Sequence, residues 1–175
     1  MAEMRVVAIA VDPRVAAPVL LLQETAARHR VLPVWVGLAE ASAIELERRH
    51  VPTPRPTTHQ LIGEIISSCG HRLQRVCVTM VRDGVFHAEL VIEPDVRVSA
   101  RVSDAVALAM HLGVPVHAAD VVLDQAALDD VQVIDADPRG AGGGGPSPSP
   151  AGQDAELEEF RRFLNEATPE DFGTD

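Results

Sequence analysis

The sequence predicts a mixed α+β domain in which antiparallel β-hairpins form a mixed sheet with helices packed on a face, followed by a flexible linker and a C-terminal amphipathic helix. Three observations predict it. Short segments rich in β-branched residues are bounded by proline, glycine or charged turns. Two stretches combine helix-forming composition with apolar residues at helical spacing. A run of Gly, Pro and Ser at residues 137–152 then interrupts everything that could pack. At 175 residues with 46% apolar content the chain can bury one core, which places the domain in residues 1–136.

Residues 5–11, 19–24 and 30–36 read as three strands of a β-meander, with Trp35 expected in the core. After Gly37, the Ala, Leu and Glu content of residues 38–48 predicts a helix that buries Ala39, Ala43, Ile44 and Leu46 and ends before Pro52. A second helix starts at Thr57 or Thr58, because Thr57 and Gln60 have the spacing of a capping box. Leu61, Ile62, Ile65 and Ile66 follow on one side of it, and Gly70 stops it.

Asp83 and Gly84 give the strongest short hairpin signal in the chain. A two-residue turn there pairs Arg82 with Val85, Val81 with Phe86 and Met80 with His87, in strands at 76–82 and 85–93. Side chains alternate along a strand, so Phe86, Ala88, Leu90 and Ile92 face the core. A three-residue loop at 94–96 matches Ile92 with Val98 and Leu90 with Ala100, and sets Glu89 opposite Arg101. The other face gathers Arg82, His87, Glu89, Arg97, Ser99 and Arg101 beside Val76, Val78 and Met80. That mixture suits a binding cleft or a subunit interface.

Beyond the linker, residues 153–175 form an acidic tail in which Leu157, Phe160, Phe163 and Leu164 recur at helical spacing. A helix is expected at 154–167. So short a helix is marginal alone in water, so its apolar stripe is expected to dock on its own domain, a neighbouring subunit or a partner.

Composition excludes several mechanisms. The basic side chains are all arginine, and without lysine neither P-loop phosphate binding nor Schiff-base catalysis is open to the chain. The formal net charge of −11 opposes nonspecific attraction to a polyanion. Up to Arg139, 13 Arg stand against 18 Asp and Glu, a balance of −5; beyond it 2 stand against 8, a balance of −6. Over half the excess is thus outside the domain. Aromatic content of 3%, with no tyrosine, leaves little for an extended base-stacking surface. Cys69 and Cys77 lack the spacing of a metal or redox motif and are expected to be buried reduced thiols. The sequence shows neither a signal-peptide apolar region nor about 20 consecutive apolar residues, so a cytoplasmic location is expected.

Four segments resemble, in the same order, signatures of the bifunctional nuclease family. Residues 32–44 resemble its strand-to-helix signature, with Trp35, Gly37 and Glu40 in the matching places; residues 55–59 resemble the start of its second helix; residues 83–90 its central hairpin; and residues 101–109 its third helix. Three positions depart from the pattern: Leu38 and Val102 stand where proline is usual and His87 where tyrosine is usual. The change at Val102 bears on how the third helix begins, and so on the aim of Arg101 and Asp104.

The resemblance implies hydrolysis of phosphodiester bonds in RNA and DNA, and a homodimer or higher homo-oligomer. A typical solution to that chemistry is a Mg²⁺ or Mn²⁺ ion held by carboxylates, for which Glu40, Glu89 and Asp104 are the oxygen ligands to consider. Glu40 and Asp104 also have a structural reading, as acidic groups meeting helix N-termini. Glu89 needs a partner in an otherwise apolar strand, expected to be Arg101. His59 is a candidate general base or phosphate contact, or an imidazole bonded to backbone at a helix start. Arg101, with Arg97 and Arg82, is a candidate substrate contact through its planar fork, unless Glu89 engages it. A catalytically silent module recognising a small anion or a protein partner is the alternative function, and a purely structural oligomer a third.

Overall fold

The computed structural model describes residues 1–26 and 28–129. The expected linker at 137–152 and tail helix at 154–167 lie outside the described residues. Seven strands form one mixed sheet in the order β3-β2-β1-β7-β4-β5-β6. The α+β class is therefore as the sequence predicts.

The first half of the sheet is the expected meander: β1 (Ala2–Asp12), β2 (Ala17–Glu24) and β3 (Val31–Trp35) pair antiparallel in succession. The second half is another, built from β4 (Leu73–Arg82), β5 (Val85–Ile92) and β6 (Val96–Arg101). What joins them is β7 (Val116–Ala118), which pairs antiparallel with β1 and parallel with β4. Neither β7 nor the short helix α4 (Asp120–Ala126) is anticipated by the sequence pattern, because three residues give too little alternation to read.

The helices follow their local signals closely. α1 (Leu38–Arg48) occupies the expected residues, and α2 (Thr58–Ser68) starts behind its capping box, with Gln60 Oε1 accepting the Thr57 backbone N–H at 3.0 Å. α3 (Val102–Leu112) is apolar nearly all round and is the centre of the core, with Val102, Ala105, Val106, Ala107, Leu108 and Ala109 all buried. It packs on β4, β5 and β6 and against α1 and α2. Gly113, with φ +65°, ends it in the left-handed conformation that glycine takes without strain.

Several expectations about faces and registers are corrected. The Asp83-Gly84 hairpin pairs its first three residue pairs as expected, and both turn residues have positive φ. A bulge at Thr79 then shifts the register, so that Val78 faces Ala88 and Val76 faces Leu90. Val76 and Val78 thereby move into the core, where the bulge-free reading had set them on the charged face. The next turn uses residues 93–95, so Ile92 faces Val96, Leu90 faces Val98 and Glu89 faces Ser99. This register differs by two residues from the expected one, and the alternation of faces survives because its period is also two. The pairing of Glu89 with Arg101 does not survive: Arg101 faces His87, and Glu89 instead bonds Arg97 at 3.3 Å.

Trp35 is 52% exposed, not core, because it ends an edge strand. Cys69 is exposed just past the end of α2, while Cys77 is buried as expected; both are free thiols. In α1 Ile44 is buried as expected, but its buried companions are Ala41 and Glu47 in place of Ala39, Ala43 and Leu46. In α2 only Gly63 is buried, against Leu112 and His111 of α3. This close approach through a glycine leaves Leu61, Ile62 and Ile65 on the surface.

Two buried carboxylates fasten these parts. Glu47 accepts hydrogen bonds from Gln60 Nε2 at 2.9 Å and pairs with His111 Nδ1 at 3.2 Å, joining α1, α2 and α3. Glu24 is 5% exposed and takes both prongs of the Arg30 fork, at 3.0 and 3.2 Å, while Arg30 also reaches Asp124 of α4 at 3.0 Å. Hydrogen bonds from Arg30 hold the Glu24 carboxyl below its ordinary value of 4.5, against the opposing effect of burial. Because that value is depressed in the folded state, the stabilisation is present above pH 4.5 and is lost as pH falls through the folded value. Arg30→Ala, which strands a buried carboxylate, is expected to cost about 3–5 kcal/mol in urea denaturation at neutral pH. The loss should shrink in a titration below pH 4.5, where Glu24 becomes protonated.

Candidate active site

α1 begins after Gly37, and α3 begins after Arg101, the last residue of β6. Neither helix has a side-chain cap hydrogen bond. Leu38 and Val102, the departures from the family pattern, are the first residues of these two helices, where proline is favoured for its fixed φ. Both helices start at these positions nonetheless.

The two N-termini bring four of the expected site residues together. Asp104, in the first turn of α3, takes Arg101 Nε at 2.6 Å and Arg101 Nη2 at 3.0 Å. Arg101 Nη1 donates to Glu40 Oε1, in the first turn of α1, at 2.7 Å. His59, in the first turn of α2, places Nε2 3.2 Å from Asp104 Oδ1. Glu40, His59, Arg101 and Asp104 thus form one cluster fed by three helices and a strand end. Glu89, Arg97 and Arg82 are not part of it: Glu89 and Arg97 pair with each other, and Arg82 is exposed beside the hairpin turn, 4.0 Å from Asp83.

Gly37 has a specific part in this geometry, because a Cβ there would overlap the Glu40 carboxylate folded back over it. The obstacle is the tip of a flexible side chain, so a larger residue displaces the carboxylate and leaves the backbone where it is.

Asp104 is the electrostatic centre. Partial burial pushes its carboxyl up, but hydrogen bonds from Arg101 and then His59 outweigh that and hold it below the usual aspartate range. Arg101 is held above its already high value, chiefly by Asp104 and then by Glu40. The Asp104 carboxylate and the Arg101 guanidinium thus stabilise each other's charge. Of the five N–H donors of the guanidinium, three are engaged by these carboxylates. Two remain for a ligand.

Two clefts open on either side of the Glu40 and Arg101 pair. One, of about 390 Å³, is lined by Thr57, Thr58, His59 and Asp104. The other, of about 270 Å³, is lined by Trp35, Gly37, Gly84, Phe86 and Ser103. The sequence singles out the charged members but misses Trp35 and Phe86 as cleft residues: Phe86 packs against the core as expected while also lining this cleft, whereas Trp35 ends an edge strand and is exposed. A larger groove of about 760 Å³ lies away from the cluster, between β1 and α1.

The bifunctional nuclease domain profile matches residues 19–130. The chain belongs to this family. Proteins from two strains of Mycobacterium tuberculosis, each described as uncharacterized, are 41% identical to it over 172 residues, covering 98% of this chain and 98% of theirs. All four clustered residues lie inside the segment that the family profile matches.

The residues as placed do not fit a divalent metal. The Arg101 guanidinium fills the space between Glu40 and Asp104, Glu89 is engaged elsewhere, and among the described residues no three His, Cys, Asp or Glu side chains converge on one point. Gly37→Ala is expected to leave the thermal unfolding midpoint nearly unchanged while displacing Glu40. Loss of the interaction between Glu40 and Arg101, read as chemical-shift changes at the Arg101 Nη1–H groups, would accompany an unaltered amide spectrum elsewhere.

Proposed function

We propose that this domain hydrolyses phosphodiester bonds of RNA and DNA at the cluster of Glu40, His59, Arg101 and Asp104. The observation that carries the reading is the pairing of His59 with Asp104 beside an arginine that still has two N–H groups to offer, at clefts open to solvent. With Nε2 directed at the Asp104 carboxylate, the imidazole proton belongs on Nε2 and Nδ1 is the acceptor. Nδ1 has no hydrogen-bond partner among the described residues. It would take the proton of an attacking hydroxyl or water and return it to the oxygen that leaves phosphorus. Asp104 orients the ring and stabilises the imidazolium that forms, while Arg101 faces the charge that develops on the phosphate oxygens. Glu40 positions Arg101. The carboxylates hold a guanidinium, so a Mg²⁺- or Mn²⁺-assisted route would need Arg101 to leave them.

The homo-oligomer implied by the family resemblance belongs to this proposal, with the exposed Leu61, Ile62 and Ile65 of α2 as its contact. So does a cytoplasmic location; among the described residues no helix is long and apolar enough to cross a membrane.

A second reading, a binding or regulatory module without catalysis, is favoured by one observation: Arg101 is already bonded to two carboxylates, so an incoming phosphate must compete with both. Cleavage of labelled single-stranded RNA and DNA, with and without Mg²⁺ or Mn²⁺, separates the two. Purified protein is expected to cleave, His59→Asn to lower the rate by about 10²–10⁴-fold, and Glu89→Gln, which removes the Arg97 pair, to retain it. No cleavage in any of these conditions would leave the binding module as the function.

A further inference from the structure

The chain has one tryptophan and four phenylalanines, of which three phenylalanines lie in the tail beyond residue 152. Residues 1–136 thus hold only Trp35 and Phe86, and no tyrosine. The fold brings these two, one from the edge strand β3 and one from β5 in the other half of the sheet, to the walls of the same cleft, next to Arg101. Low aromatic content rules out an extended stacking surface, but both aromatic rings of residues 1–136 line one cleft.

Trp35 is 52% exposed, although tryptophan is on average a highly buried residue. Gly84, which also lines the cleft, presents no side chain and has nothing within 4 Å of where a Cβ would stand, so a flat group has room to enter there. The volume of about 270 Å³ falls just below the range of sites for whole drug-sized ligands, and suits a single ring system and not an oligonucleotide.

We propose that the cleft between Trp35 and Phe86 is a nucleobase subsite, in which one base stacks on Trp35 while the adjoining phosphate meets the free N–H groups of Arg101. The proposal deepens the nuclease reading and rests on it only for the place of the phosphate. Stacking on an aromatic ring accepts every base, because each has a π face, so the subsite requires a base without selecting its sequence. It would hold the strand in register beside His59 at the other side of Arg101, without the basic surface that this acidic protein lacks.

Trp35 is the only tryptophan, so intrinsic fluorescence reports on this cleft alone. The full chain, carrying His59→Asn so that binding is read apart from cleavage, is titrated with adenosine 5′-monophosphate, with ribose 5-phosphate and with inorganic phosphate. Saturable quenching by the nucleotide and none by the two base-free compounds is expected. By calorimetry, Trp35→Leu should weaken nucleotide binding about tenfold or more, and Trp35→Phe should restore most of it. Because Trp35 is largely exposed, both variants should keep the parent's unfolding midpoint; Phe86→Leu serves as a second probe from the other wall. Equal quenching by ribose 5-phosphate, or an unchanged nucleotide affinity in folded Trp35→Leu, would overturn the subsite. A spectrum that shifts with protein dilution in the absence of nucleotide would also overturn it, by showing that a second copy covers the ring. Nucleotide binding without any cleavage by the unmutated protein would sink the nuclease reading and leave the subsite standing.

Discussion

A carboxylate enclosed by helices must be met by donors, since leaving such a charge unpaired costs about 3–5 kcal/mol. Glu47 meets that demand with Gln60 from α2 and His111 from α3, so the three helices cannot slide against one another without abandoning it. The site inherits this constraint. Seven residues make about two helical turns, and Glu40 precedes Glu47 by seven on α1 just as Asp104 precedes His111 by seven on α3. His59 adjoins Gln60 on α2. The cluster at the helix N-termini is therefore a second layer, two turns from the buried one along α1 and α3 and adjoining it along α2. The buried layer sets the spacing; the exposed layer has the chemistry.

The exposed layer is arranged differently from a site built on positive charge. Arg101 sits between two carboxylates and remains two-thirds exposed, so it is fixed in direction yet reachable. A guanidinium held in this way loses little side-chain freedom when a phosphate arrives, at the cost of sharing its charge. In a protein of net charge −11 this favours contacts made at one phosphate over attraction spread along a strand. An exposed tryptophan on the other side of the same arginine is consistent with recognition that depends on shape and stacking more than on field.

Much of the fold was legible where the determinants were local. The Asp83-Gly84 turn, the Thr57 and Gln60 capping box and the residues of α1 each follow from interactions spanning four residues or fewer. What was not legible depended on partners far along the chain. The bulge at Thr79 leaves no mark in the alternation, yet it moves Val76 and Val78 from one face to the other. The Glu89 carboxylate was correctly expected to need an arginine, but a two-residue register change gave it Arg97 and freed Arg101 for Asp104 and Glu40. The contact of α2 with α3 was not legible because Gly63, the residue that approaches α3, has no apolar side chain to announce it. Of the site, the residue types came from family resemblance and their convergence from the fold alone.

The three residues of β7 join two meanders that are otherwise built from neighbours in the chain. Each meander needs only short loops to close, whereas β7 must bridge β1 and β4 across separations of about 110 and 40 residues respectively. During synthesis both hairpin sets, and the helices between them, leave the ribosome before the strand that unites them. Until residues 116–118 emerge, β1 and β4 each expose an unpaired edge to every other nascent chain nearby. Order of synthesis thus makes this small strand the step at which the two halves stop being vulnerable to neighbours and become one sheet.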